Sequence, residues 1–312
     1  MPAKPKQRRQ QARFDPNRGS RPPEMIDLVD AGWILKALAG MLVLALVCGY
    51  VTLCLVFHYN QWQLVLKPSR NITTTPSTFN LPFTEVHFGV DAAGKPQLDG
   101  WWIPSDSPAD PTVLLLHSGD GTMSDAVSQA QTLHAARLNV LLFDYRGYGH
   151  SAGTHPTEAT MEADAETAFA YLTNLRSLPA TTLIAYGTGA GGSLAVTLCT
   201  HHPKIAALIL ESPRGDFLAQ VKQDPRAHFV PVRLLFNQDF PLADPLHTLS
   251  TPKLLISFAN ADVPPPVIFQ RAADPKTTVE LPASPPSAVH EPIKRFLGSY
   301  VAHPPATIIP NQ

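Results

Sequence analysis

Apolar and polar positions fall into two regimes along the chain. Residues 38–57 carry no charge, and at about 1.5 Å of rise per residue such a helix reaches about 30 Å, the thickness of a bilayer core. A core helix in a soluble domain turns a polar face once per turn, whereas this run is interrupted by Thr52 and the small Gly40 and Gly49. The apolar region of a cleaved signal peptide spans about 7–15 residues and ends at a small-residue site. The pattern therefore predicts an uncleaved transmembrane helix over 37–58, following a basic disordered tail over 1–36.

The second regime begins near residue 70. Short apolar runs predict strands at 84–90, 98–103, 113–116, 139–143, 181–186, 205–210, 254–258 and 278–281, and helical periodicity predicts helices at 124–136, 161–174, 191–201 and 291–301. Runs such as VLLL, NVLLF and IAALIL are apolar throughout, as strands buried on both faces are. Their alternation with helices predicts an α/β domain over 70–303, a mostly parallel sheet flanked by helices. Residues 214–249 break the alternation with prolines and mixed polarity and are expected to form an irregular, cap-like excursion over a site. Residues 304–312 are expected to form a tail.

Charge refines this picture. Lys4, Lys6, Arg8, Arg9, Arg13, Arg18 and Arg21 precede the apolar run against Asp15 alone, while Lys67 and Arg70 follow it. By the positive-inside bias the N-terminus is expected in the cytoplasm and the large domain outside, with the bilayer as partner of 37–58. The basic tail also suits lipid headgroups, though a topogenic role suffices for it. The net charge of -1 gives no basic face for nucleic acid, so that partner is not expected. Cys48, Cys54 and Cys199 form no disulfide framework. The histidines, His201 and His202 included, show no metal-ligand spacing and are read as surface residues.

The chemistry concentrates at 181–201. The strand TTLIAY enters Gly187, Thr188, Gly189, Ala190, Gly191 and Gly192 and then the helical SLAVTLCT. That is the strand, tight turn and helix of a nucleophile elbow. Upstream lie Gly100-Trp101-Trp102, a strand ending in His117-Ser118, and the run Asp144-Tyr-Arg-Gly-Tyr-Gly-His-Ser151; downstream lie Glu211-Ser-Pro213 and a strand leading to Asp262. In order and spacing these segments resemble the α/β-hydrolases of the membrane-anchored, Bem46-like kind, over about 61–301.

The resemblance implies an α/β-hydrolase fold and an ancestral ester, thioester or amide hydrolysis through an acyl-enzyme, with no metal or organic cofactor. It also marks departures. Gly189 stands where the family's Gly-x-Ser-x-Gly-Gly places its nucleophile, and Ser118 stands where the family has the glycine of His-Gly. Loss of the serine from such a catalytic unit costs on the order of 10⁶ in turnover, so an impaired enzyme is expected. Thr188 and Ser193 are the nearest hydroxyls, and the elbow geometry is expected to turn both away. Asp262 matches the acid of the triad; the histidine place falls to His290, at the start of the last helix and late for the role. Backbone groups of Ala190 and of Ser118 or Gly119 correspond to the oxyanion hole, where a small acyl-type or anionic ligand is expected to bind.

Two rival readings of these residues remain. Water admitted at the vacant nucleophile position and activated by His290 would leave a residual hydrolase. The run from Gly187 to Gly192 also fits G-x-G-x-x-G, with Glu211 ending the next strand, which is a dinucleotide-binding fingerprint. Such fingerprints sit in the first βα unit of a domain, whereas four predicted strands precede this one.

Overall fold

A computed structural model describes residues 31–259, 267–282 and 286–301. By its contacts the chain divides into two units, Met1–Thr52 and Leu53–Gln312. In the first, helix α1 begins at Ala31 and runs unbroken to Asn60 in the second, longer at both ends than the pattern predicts. It is the one described helix long and apolar enough to cross a membrane. Its side chains from Leu38 to Val56 stand largely exposed.

The second unit is built on a sheet of eight strands: β1 (Thr84–Val90), β2 (Pro96–Ile103), β3 (Thr112–Leu116), β4 (Asn139–Asp144), β5 (Leu183–Gly189), β6 (Ala207–Pro213), β7 (Lys253–Ala259) and β8 (Lys276–Pro282). Their order is β1-β2-β4-β3-β5-β6-β7-β8. The pairs β1–β2 and β2–β4 are antiparallel and all others parallel. The chain order reverses between β3 and β5, and in open α/β sheets the crevice beyond the strands' carboxyl ends at such a point is where ligands bind.

Period-two alternation sorts the strand side chains into two cores. Leu114, Leu116, Leu141 and Phe143 pack on one face with α3 (Glu158–Ala170) and α4 (Gly191–His201). Val113, Leu115, Val140 and Leu142 pack on the other with α2 (Val127–Ala135) and α5 (His290–Tyr300). Both faces being covered, β3 and β4 are buried at every residue, which is why their sequences are apolar throughout.

The element ends differ from the pattern for local reasons. Pro179 through Thr182 close a 3₁₀ turn, so β5 starts at Leu183 and extends to Gly189. Thr157 and Thr160 cap the start of α3 reciprocally, and after Ala170 a π turn, Tyr171–Leu175, completes the predicted length. The excursion contains short helical turns at Leu218–Val221, Val232–Leu235 and Ala243–Thr248. Phe217 and Phe240, both buried, meet edge to face at 5.7 Å inside it.

Candidate functional site

The elbow forms where β5 passes into α4. Gly189 takes φ +51°, and Ala190 already has helical angles. The neighbouring glycines are required by space. A Cβ on Gly191 would stand 2.2 Å from the carbonyl oxygen of Leu116, and one on Gly187 would stand 2.4 Å from that of Gly191. Real Cβ atoms do not approach backbone so closely, so the small residues two positions either side of Gly189 let the turn close. The fingerprint glycines thus serve an elbow after the fifth strand, outside the first βα unit that a dinucleotide fold would use.

The loop after β3 lies directly over the elbow. A Cβ on Gly189 would sit 2.7 Å from the Cβ of Ser118 and 2.8 Å from its carbonyl oxygen. That carbonyl accepts a hydrogen bond from the Ala190 N–H at 3.0 Å. The backbone donor that corresponds to an oxyanion hole is thus occupied by Ser118, and the volume of a nucleophile's side chain is filled by the same residue. A ligand seeking the Ala190 N–H has to displace Ser118 first.

The remaining cleft, about 310 Å³, is lined by polar groups, among them His117, Asp120, Asp125, Thr188, Glu211 and Arg214. Thr188 faces it, contrary to the expectation that an elbow turns this position away. The cause is a bulge: pairing of β5 with β6 slips between Thr188 and Gly189, opposite Ser212 at φ +45°. Ser193 does turn away, donating to the Pro241 carbonyl at 2.7 Å and so tying α4 to the excursion. Arg214 and Asp120 form an ion pair at 3.3 Å, both partly exposed. Glu211 is buried and accepts a hydrogen bond from the Tyr186 hydroxyl; burial raises its pKa, opposed by bonds from Tyr186 and Gln129.

His117 is the imidazole of this cleft, and neither ring nitrogen has a hydrogen-bond partner among the described residues. Its side chain is almost fully buried, with Nε2 3.6 Å from Asp144 Oδ1. Burial pulls the imidazole down to about 3 and pushes the Asp144 carboxyl up to about 7, against one hydrogen bond from the Met123 N–H. A ring so hard to protonate is a weak base, and no hydroxyl of the cleft lies within bonding distance of it.

The pair makes a testable statement about pH. His117 has its folded pKa below the ordinary 6.5, so its contribution to stability is present above pH 6.5 and is lost as pH falls toward 3. Asp144 has its folded pKa above the ordinary 3.8, so its contribution is present below 3.8 and is lost as pH rises through 7. The two slopes oppose each other between these limits. Asp144→Asn is expected to remove the second and leave stability falling as pH drops from 6.5, with a limiting slope of about 1.4 kcal/mol per pH unit. Urea midpoints at several acidic pH values check this, and a variant whose profile overlays the parent's contradicts it.

The motif from Asp144 to Ser151 supports the site from beneath. Gly147 and Gly149 turn at φ +96° and +41°, and a Cβ on Gly149 would stand 1.9 Å from Asp144 Oδ2. The Ser151 hydroxyl donates to the Asp144 carbonyl at 2.6 Å and accepts from the Asp99 N–H at 2.9 Å. Arg70 donates to the carbonyls of Tyr148, Gly149, Ser151 and Gly153. The Tyr148 hydroxyl donates to the Gly119 carbonyl at 2.8 Å, which couples this turn to the loop covering the elbow.

Of the two expected triad partners, the described residues include His290 alone. His290 opens α5 with Nδ1 3.3 Å from Glu291 Oε1 and is not among the cleft's lining residues. Asp262 lies outside the described residues. His201 and His202, expected at the surface, stand there partly exposed and share Glu166, at 2.8 and 2.7 Å, and Phe169 stacks on His202 at 4.0 Å. Sequence reasoning missed the exposed face of Thr188 and the orphaned ring of His117. Ser118, by contrast, announced itself by standing where a glycine is usual.

Known proteins carry the same frame. The family model of serine aminopeptidases, S33, matches residues 107–246. An uncharacterized protein of Mycobacterium tuberculosis, Rv2307c, is 30% identical over 256 residues, covering 80% of this chain and 88% of its own. Protein bem46 of Schizosaccharomyces pombe is 32% identical over 170 residues, 51% of this chain and 56% of its own. Among solved structures, an esterase of Pyrococcus furiosus superposes with a TM-score of 0.57 at 17% identity, covering 76% of this chain and 98% of its own.

Proposed function

The chain belongs to the α/β-hydrolase superfamily, in its Bem46-like type, and on that premise we propose that it is a membrane-anchored member that no longer hydrolyses through an acyl-serine. The observation that carries this reading is the filled elbow. Gly189 holds the nucleophile's backbone conformation, yet Ser118 occupies the side-chain volume and takes the Ala190 N–H. Among the described residues, attack has no hydroxyl at the elbow's central position, proton transfer has no imidazole bonded to the cleft's hydroxyls, and the Ala190 N–H is already taken. What remains is a polar cleft suited to binding. Asp120, Asp125 and Glu211 face Arg214 there, a balance that favours a small neutral acyl-type ligand over an anion.

Anchoring is part of the same proposal. Residues 38–57 of helix α1 have the length and the charge-free composition of a single span, and the basic residues ahead of them support a cytoplasmic N-terminus and an extracytoplasmic cleft.

The test is fluorophosphonate labelling of the full chain beside an assay with short p-nitrophenyl esters. No labelling is expected, and turnover at least about 10³-fold below that of a serine-bearing relative. Covalent labelling at any cleft hydroxyl refutes the proposal. Turnover without labelling points to water activation instead, a reading with less support because His290 is not among the cleft's lining residues and burial holds the His117 imidazole at about 3.

A further inference from the structure

Few large apolar side chains of the folded unit stand open. Among those beyond the helix, Phe229 and Leu234 are 73% and 81% exposed, and both belong to the excursion. The segment between and after them grips the end of α1. The Leu235 carbonyl accepts from the Gln61 amide at 3.1 Å and lies 3.1 Å from His58 Nδ1. The Asn237 N–H donates to Gln61 Oε1 at 2.7 Å, and Gln61 itself is buried. Leu53, Val56 and Phe57 of α1 enclose a cavity of about 200 Å³ with Arg226 and Val230.

The place of this grip along α1 matters. The apolar run ends at Phe57, and His58, Tyr59, Asn60 and Gln61 follow. Polar and aromatic residues after a charge-free run mark the level of the lipid headgroups. Whatever is bonded to His58 and Gln61 lies at that same level, and Phe229 and Leu234 precede the residues so bonded, Leu235 and Asn237. Arg233, exposed beside Leu234, has the reach to extend its guanidinium toward phosphate. An apolar pair with a basic neighbour is the composition of a segment lying in a membrane interface.

We propose that residues 226–235 form a shallow membrane-embedded shelf, with Phe229 and Leu234 inserted at the boundary between headgroups and acyl chains of a phospholipid bilayer. This rests on the reading of α1 as a span. The excursion is then held by the bilayer as well as by α4, to which Ser193 ties it.

The experiment uses the full chain, with Cys48 and Cys54 replaced by serine and buried Cys199 retained, in vesicles of phosphatidylcholine and phosphatidylglycerol. Single cysteines at positions 44, 90, 175, 229 and 234 carry an environment-sensitive fluorophore, and nitroxide lipids quench at shallow or deep positions. Val90 and Leu175, outside the 226–235 segment, are exposed apolar controls. Labels at 229 and 234 are expected to be quenched several-fold more by shallow nitroxides than labels at 90 and 175, while the label at 44 responds to deep ones. Equal quenching at 229, 234, 90 and 175 with strong deep quenching at 44 overturns the shelf and spares the span. A label at 44 that deep nitroxides leave bright overturns the span, and the shelf with it.

Discussion

Gly189→Ser on its own is expected to give a folded, less stable protein with no gain in ester hydrolysis. The new Cβ would meet the Cβ of Ser118 at 2.7 Å and its carbonyl oxygen at 2.8 Å. Forcing atoms into a filled space costs about 1–3 kcal/mol, and a side chain in the left-handed region adds about 1–2 kcal/mol. The serine would still lack an oxyanion donor, because the Ala190 N–H stays with Ser118, and one such donor is worth about 10²–10³ in turnover. Combining Gly189→Ser with Ser118→Gly removes the Cβ contact and gives the covering loop freedom to retreat. The double variant is expected to regain part of the lost stability, because the contact with the carbonyl oxygen and the left-handed strain persist. Melting temperatures and p-nitrophenyl ester turnover for parent, single and double variants test this. A single variant that gains 10³-fold or more over the parent, on the scale of a restored nucleophile, would show that the cover yields easily and would remove the argument for impairment.

Gly191→Ala is expected to abolish folding. Its Cβ would approach the carbonyl oxygens of Leu116 and His117 at 2.2 and 2.4 Å, and these neighbours are backbone that cannot rotate aside. Relief requires parting the start of α4 from the end of β3, in the middle of the sheet. We expect a loss of more than about 4 kcal/mol, the range in which single substitutions are exceptional, against a total stability of about 5–15 kcal/mol. Alanine at Gly40 or Gly49, where nothing stands within 4 Å, serves as the comparison and is expected to leave the yield of folded protein unchanged. A Gly191→Ala protein whose urea midpoint matches the parent's would mean that the elbow closes less tightly than described.

Much of this architecture is legible in the sequence because it depends on local periodicity. The continuous apolar runs of β3 and β4 declare strands covered on both faces, and the charge-free run declares α1. The glycines at 187, 189 and 191 declare the elbow by their spacing. Other features depend on where distant segments meet. The motif from Asp144 to Ser151 is readable as a pattern, but the clamp of Arg70 on its carbonyls joins residues 78 to 83 positions apart. Ser118 is visible as a departure from glycine, yet its closure over Gly189 needs the relative height of two loops. The bulge that turns Thr188 into the cleft has no sequence signal beyond Ser212, a side-chain residue in a conformation that glycine usually takes.

The left-handed turn at Gly189 has a consequence for how such a protein evolves. A working elbow holds its serine in a conformation that L-residues avoid, so activity is maintained at a cost in fold stability. Glycine adopts φ +51° without that cost. On the proposed loss of the acyl-serine route, glycine at this position would be the replacement that relaxes the fold without rebuilding it. The stability so released would accommodate substitutions elsewhere that an enzyme near its threshold would not tolerate.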